Sequence, residues 1–226
     1  MAESSSARGG ALRLTVLGLL TGPARGFFPL GPSPAVRASV ALQRQLVEGY
    51  GRPLAEGARA EVDDLIEELR AARVRFDPRV LSDGLWYVAY MAGPQPRWKL
   101  GRTQLAGQRY QLREGRTTNY AEIVGSALCL VVEADLRALD GASSCPKDFE
   151  LAVTSASVRF GTLGALTVPI RGRGRARLLF GDERLRIFLS PKESESGWEQ
   201  DGLVVCQLPG LALFGEEWRQ TAALDQ

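Results

Sequence analysis

The hydrophobic pattern predicts one amphipathic helix early in the chain. Within residues 58–73 (ARAEVDDLIEELRAAR), apolar side chains recur every three or four positions, at Val62, Leu65, Ile66, Leu69 and Ala72. Acidic residues lie mostly in its first half and arginines near its end, as the helix dipole favours. The sequence Phe76-Asp77-Pro78 then disfavours a continuing helix, because proline restricts the residue before it.

Beyond residue 84 the pattern changes to short apolar or alternating runs separated by turn residues, which is typical of β-strands. The predicted strands are residues 84–91, 104–113, 117–124, 126–133, 149–153, 158–161, 165–170, 175–180, 185–189 and 203–208. About eight to ten short strands after one helix predict an up-and-down barrel or a sandwich. The lack of further helical periods disfavours a parallel α/β fold.

The sequence Gly84-Leu85-Trp86 opens the first predicted strand soon after the helix. A tryptophan at this position is expected to seal one end of a small antiparallel barrel. Trp86, Val88 and Tyr90 alternate along the strand, so they are predicted to share one face that points inward. Further candidates for the barrel lining are Leu128, Leu130 and Phe180. A small barrel can hold one ligand or be filled by side chains, and both alternatives stay open.

Composition excludes several kinds of chemistry. The chain has no histidine, which removes histidine-based nucleophile activation, proton shuttles and histidine metal sites. Its three cysteines lack CxxC spacing, so no metal site is predicted. Cys129 and Cys206 are interpreted as core residues, with a disulfide between them as the alternative. The net charge of +2 gives no reason to expect a nucleic-acid partner.

The first residues have the composition of a targeting leader. Residues 11–20 (ALRLTVLGLL) have the length of a signal-peptide core. The stretch after Phe27 contains Ser and Arg but no acid before Glu48. This order resembles the bipartite leader of algae with secondary, red-lineage plastids, in which a phenylalanine just after the signal peptide gates import. The alternatives are an ordinary secretory signal or a structured N-terminal helix.

Several segments together resemble the plastid lipid-associated proteins, also called fibrillins. They are the VDDLIEEL helix, the Gly84-Leu85-Trp86 strand, the segment 182–187 (DERLRI) and the closing apolar strand 203–206. The resemblance implies a mainly β, lipocalin-like antiparallel barrel preceded by an amphipathic helix. The predicted organisation is a signal peptide (1–26), a transit peptide and linker (27–57), the barrel domain (58–208) and a tail (209–226).

The resemblance also implies a function. We expect a non-catalytic plastid protein that binds apolar lipids, quinones or carotenoids, or that coats a thylakoid or plastoglobule surface. In lipocalin-like barrels an arginine often covers the sealing tryptophan, and Arg186 is the candidate here. The alternative is an interaction subunit with a filled barrel that docks onto a photosynthetic or other plastid complex. An enzyme acting on pigments or lipids is a third class, which the missing histidine disfavours.

The segment 171–177 (RGRGRAR) is the one strong basic run in the sequence. One interpretation is a solvated hairpin loop, because glycine at alternate positions suits turns. The other is contact of Arg171, Arg173, Arg175 and Arg177 with anionic lipid head groups. Acidic residues near the strands are interpreted as surface charges, so no catalytic pair is predicted.

Overall fold

The computed structural model of the chain describes residues 31–81, 84–94, 104–191 and 201–215. Its helices are α1 (Pro34–Glu48), α2 (Glu56–Ala71) and α3 (Gly210–Phe214), with a short 3₁₀ helix at Pro78–Leu81. The strands are β1 (Trp86–Ala92), β2 (Ala106–Gln111), β3 (Arg116–Val124), β4 (Leu128–Ala138), β5 (Lys147–Arg159), β6 (Ala165–Gly181), β7 (Arg186–Leu189) and β8 (Val204–Pro209).

The eight strands pair in sequence order, each antiparallel to the next, and β8 pairs with β1 to close a ring. The predicted mainly β fold and its preceding helix are therefore confirmed. The helix α2 begins and ends two residues earlier than predicted, and it ends just before Arg73, whose φ of +45° is incompatible with a continuing helix. The three strands predicted within residues 158–180 belong to two long strands, the end of β5 and all of β6.

The helix α1 was not predicted from the sequence. This helix lies inside residues 27–57, which were predicted as transit peptide and linker, so the alternative of a structured N-terminal helix is right for residues 34–48. The Ser33 side chain accepts a hydrogen bond from the Val36 amide, and Pro34 occupies the first turn, where its missing N–H costs nothing. Leu42 and Leu46 are buried on the inner face of the helix. The folded part therefore includes α1, which lies before residue 58.

Two separate clusters of buried side chains stabilise the ring. The outer core lies between the helices and the outside of the ring, and it contains Ala38, Leu42, Leu46, Val62, Ile66, Leu69, Leu179, Phe180, Leu185, Ile187, Cys206 and Leu208. The inner core fills one end of the ring's interior, and it contains Leu81, Tyr110, Ala134, Leu136, Cys145, Phe149, Leu151, Leu178 and Phe188. Strands β6 and β7 contribute to both cores, with Leu178 and Phe188 in the inner core and Leu179 and Ile187 in the outer core.

The two ends of the ring differ. At the closed end lie the 3₁₀ helix, the β2–β3 turn and the inner core, whose Leu81 comes from that helix. The other end, which the described residues leave partly uncovered and which we call the open end, carries the β3–β4 turn and the β5–β6 hairpin. The hairpin extends past a break in its pairing register between Val153 and Ser155. The antiparallel order fixes which connections share an end, because every second connection returns the chain to the same side.

Candidate functional site

Trp86 and Arg186 lie against each other inside the ring, next to the closed end. The guanidinium carbon of Arg186 is 3.7 Å from the centroid of the indole ring, and both side chains are buried. The contact predicted between these residues is therefore confirmed. A positive φ of 85° at Gly84 explains the glycine two residues earlier, because other residues rarely adopt this backbone conformation.

The closed end is filled by aromatic and aliphatic side chains. Phe149 and Leu178 have no exposed surface, and the ring of Tyr110 stacks on Phe188 with centroids 5.1 Å apart. Leu81 is fully buried among them and is the last residue of the 3₁₀ helix that comes before β1 in the chain. Among the described residues, these buried side chains close this end, so an entering molecule would have to use the other end.

A polar pair lies beside Trp86 and Arg186, and the sequence analysis missed it. Gln207 pairs in register with Arg186 on one side and Val88 on the other, and its Nε2 donates a hydrogen bond of 2.9 Å to Oε1 of Gln108. Gln207 is 2% exposed. Its Oε1 has no hydrogen-bond partner within the part of the chain that the structure describes. The available signal was a glutamine inside the apolar strand 203–208.

Tyr90 does not share the inward face of Trp86 and Val88, which corrects the prediction. The pairing of β1 with β8 shifts between Val88 and Tyr90, so one extra residue turns Tyr90 to the outside. There its hydroxyl donates to Oδ1 of Asp63 on α2, at 2.8 Å. Burial and this hydrogen bond both raise the pKa of Tyr90.

Phe180 does not line the interior of the ring either, which contradicts the second of the predicted positions. The pairing of β6 with β7 shifts between Leu178 and Phe180, which turns Phe180 into the outer core, while Leu178 faces the inner core. Nearby, Asp182 of the DERLRI segment accepts hydrogen bonds from the amides of Arg184 and Leu185 and from the Ser39 hydroxyl of α1. That segment therefore forms a turn that holds α1 to the ring.

Leu128 and Leu130 lie on the inward face of β4, as predicted. They share the alternation of Ala134 and Leu136, which belong to the inner core, and the register of β4 with β3 shifts only beyond Glu122. Both side chains are half-buried. The interior wall therefore changes from fully buried at the closed end to partly exposed toward the open end.

The open end carries a set of exposed apolar side chains, which we call the apolar rim: Val124 (64% exposed), Phe160 (43%), Leu163 (91%), Leu166 (61%) and Val168 (47%). Leu166 pairs with Val158 and Val168 pairs with Ala156, and these positions continue the inward row of Leu130 across β5 and β6. Inward-facing leucine and valine normally become buried in a ring of this size. None of these five residues was predicted from the sequence as a site residue.

The basic run 171–177 is part of strand β6, so the interpretation as a hairpin loop is wrong. Arg171, Arg173 and Arg175 are exposed, while Arg177 forms two hydrogen bonds with Asp148, of 2.6 and 2.9 Å. A hydrogen bond from Arg137 lowers the pKa of Glu150, and the charges of Arg173 and Arg175 add to this effect. Acidic neighbours on β5 thus offset part of the positive charge.

The thiols are poorly placed for nucleophilic chemistry. Cys129, Cys145 and Cys206 are free and buried, which contradicts the alternative of a disulfide between Cys129 and Cys206. Burial raises the pKa of Cys145 to about 11 and also raises the pKa of Cys206, so the reactive thiolate is disfavoured. Among the described residues, no group of three acidic or cysteine side chains could hold a metal ion.

Comparison of the chain with protein-family models, with curated proteins and with solved structures found no match. None of the helices within the described ranges is both long and apolar enough to cross a membrane.

Proposed function

We propose that this chain is a non-catalytic lipid-binding protein with a lipocalin-like barrel that takes an apolar molecule in through its open end. The observation that carries the proposal is the row of inward-facing apolar side chains that reaches the apolar rim and stays exposed there, as at Leu166 and Val168. Leaving this surface in water costs about 25 cal/mol for each Å². An apolar guest would cover it, which gives the binding its driving force.

The lipocalin-like assignment rests on three features of the closed end. A 3₁₀ helix comes shortly before β1 in the chain, Trp86 begins β1 inside the ring, and Arg186 covers the indole face. Together with the packed inner core they seal one end and leave the other as the entrance. A ring of eight strands can be filled by side chains or can hold one small ligand, and the second case would admit lipids, quinones or carotenoids as candidate guests.

The resemblance to the plastid lipid-associated proteins supports the same proposal and adds a location. We place the mature protein in a plastid, on a thylakoid or plastoglobule surface, and the leader that would deliver it falls on residues 1–30, outside the described residues. Because α1 contributes Leu42 and Leu46 to the outer core, a transit peptide that is removed should end before Ser33. Import followed by cleavage at residue 57 would remove part of the folded unit.

Exposed arginines support attachment to an anionic lipid surface. We expect the double variant Arg171→Gln/Arg173→Gln to bind anionic vesicles more weakly, by about 1 kcal/mol for each residue near the surface. The measurement is vesicle co-sedimentation at two salt concentrations, because screening should reduce the effect. The matched control is Arg44→Gln/Arg52→Gln, which removes two exposed arginines from the helical side. An equal loss in both variants would show a general charge effect and no role for β6.

Binding of an apolar molecule through the open end can be tested with a neutral apolar dye such as Nile Red. We expect Leu166→Ser/Val168→Thr to weaken dye binding about tenfold, because two apolar side chains no longer contact it. The control Leu211→Ser/Val40→Thr changes side chains of similar exposure, 54% and 47%, which lie on α3 and α1 and do not belong to the rim. Thermal unfolding should be similar for both variants. If the rim variant binds the dye as tightly as the control does, the open end is not the entrance.

A second candidate function is an interaction subunit whose apolar rim docks onto a plastid protein complex. The observation that favours it is Leu163 at the hairpin tip, where a 91% exposed leucine is suited to insertion into a partner's pocket. The two candidates differ in the effect of Leu163→Ser. Docking requires that this single change weaken the complex, whereas binding of a guest inside the ring should be unaffected by it.

A further inference from the structure

The pair formed by Gln207 and Gln108 has no role in a purely apolar cavity. A buried amide group without its full set of hydrogen bonds costs about 1–3 kcal/mol, so such groups are uncommon without a reason. Here the Nε2 of Gln207 is satisfied by Gln108, but its Oε1 has no hydrogen-bond partner within residues 31–81, 84–94, 104–191 and 201–215. The unsatisfied group is thus a single acceptor, the Oε1 atom of Gln207, on a side chain that is 2% exposed.

The place of this acceptor in the ring indicates what could use it. Gln207 lies beside Val88, which is half-buried, and beside Arg186, which is fully buried against Trp86. The amide therefore sits where the filled closed end meets the partly exposed apolar wall. A molecule that entered from the open end with its chain along this wall would bring its far end to the two glutamines.

We infer that the guest is an amphiphile whose buried end carries a hydrogen-bond donor, such as the hydroxyl group of a long-chain alcohol or a quinol, and that Gln207 accepts this hydrogen bond. This inference rests on the proposed function, because it names the chemical class of the guest. A hydrocarbon of the same length would fill the same space and leave Oε1 unsatisfied. The polar pair thus discriminates between guests by the group at the end of the chain.

The test compares two isomeric probes, dodecan-1-ol and methyl undecyl ether, which have the same atoms and chain length but of which only the alcohol has a hydrogen-bond donor. Each is titrated against the full chain loaded with Nile Red, and the displacement gives its affinity. One hydrogen bond to a buried acceptor is worth roughly 0.5–1.5 kcal/mol, so the alcohol should bind about 2- to 10-fold tighter than the ether. In the variant Gln108→Leu/Gln207→Leu the two probes should bind equally.

The variant changes both glutamines, because replacing both partners of a buried hydrogen bond leaves neither unsatisfied. Gln111→Leu is the control, since this glutamine bonds Glu114 at the β2–β3 turn, and it should keep the preference for the alcohol. Equal binding of alcohol and ether by the unchanged chain would overturn the inference and leave the proposed function standing. Failure of the dye and of both probes to bind would overturn both. The comparison of alcohol with ether in the unchanged chain needs no variant. It therefore tests the inference even if the double variant fails to fold.

Discussion

Replacing Trp86 by alanine is expected to lower the free energy of unfolding by about 3–5 kcal/mol. The indole is 6% exposed, begins β1 inside the ring, and carries the guanidinium of Arg186 at 3.7 Å on its face. Truncation removes the apolar contacts, leaves a cavity, and exposes a buried charge to it. The loss is a large share of the 5–15 kcal/mol that stabilises a typical domain. Chemical denaturation of both proteins gives the difference.

The control for this variant is Phe160→Ala, which removes an aromatic ring that is 43% exposed on the hairpin. It should cost less than about 1 kcal/mol, as surface changes usually do. A double-mutant cycle with Arg186→Ala should show that the two costs do not add, because each residue loses its partner when the other is truncated. A Trp86→Ala cost as small as that of Phe160→Ala would show that the closed end is not sealed in this way.

The Leu42→Ala variant is expected to cost about 2–5 kcal/mol, although Leu42 lies in a segment with the composition of a transit peptide. Its side chain is fully buried in the outer core among residues of α2, β6, β7 and β8. Removing its methyl groups leaves a cavity between α1 and the ring. The measurement is again the free energy of unfolding, on the chain that begins before Ser33.

The matched control for Leu42 is Val40→Ala on the same helix, where the side chain is 47% exposed. This change should alter stability by no more than about 0.5 kcal/mol. Similar small costs for both variants would mean that α1 is detachable, and a transit peptide extending through residue 57 would then be compatible with a stable fold.

The helix α2 and most of the strands could be predicted, because each depends on the spacing of apolar residues within its own segment. The period of α2 and the runs of apolar residues indicated the helix and the strands, and the order of Gly84, Trp86 and Arg186 led to a contact that the structure contains. It was harder to predict whether a strand residue faces the inside or the outside of the ring. A single extra residue between Val88 and Tyr90 reverses the alternation, and nothing in the local sequence marks such a bulge.

Other features depend on contacts between distant parts of the chain. The helix α1 is acid-free before Glu48, as a transit peptide is, and only its packing against α2 and the ring distinguishes the two. The pairing of Gln207 with Gln108 joins β8 and β2 across β1, a separation of 99 residues. The apolar rim likewise appears only once the ring is closed, because the sequence of β6 does not show that Leu166 and Val168 lie at an end that the described residues leave uncovered.

The central claim is that the ring holds an apolar molecule, and the most direct measurement is the content of the natively purified protein. The full chain is isolated under non-denaturing conditions, and its lipids, pigments and co-purifying proteins are identified and quantified by mass spectrometry. We expect about one amphiphilic apolar molecule for each chain, and a marked loss of it in Leu166→Ser/Val168→Thr. A folded chain that carries no such molecule and instead co-purifies with a stoichiometric protein partner would contradict the claim and favour a docking subunit.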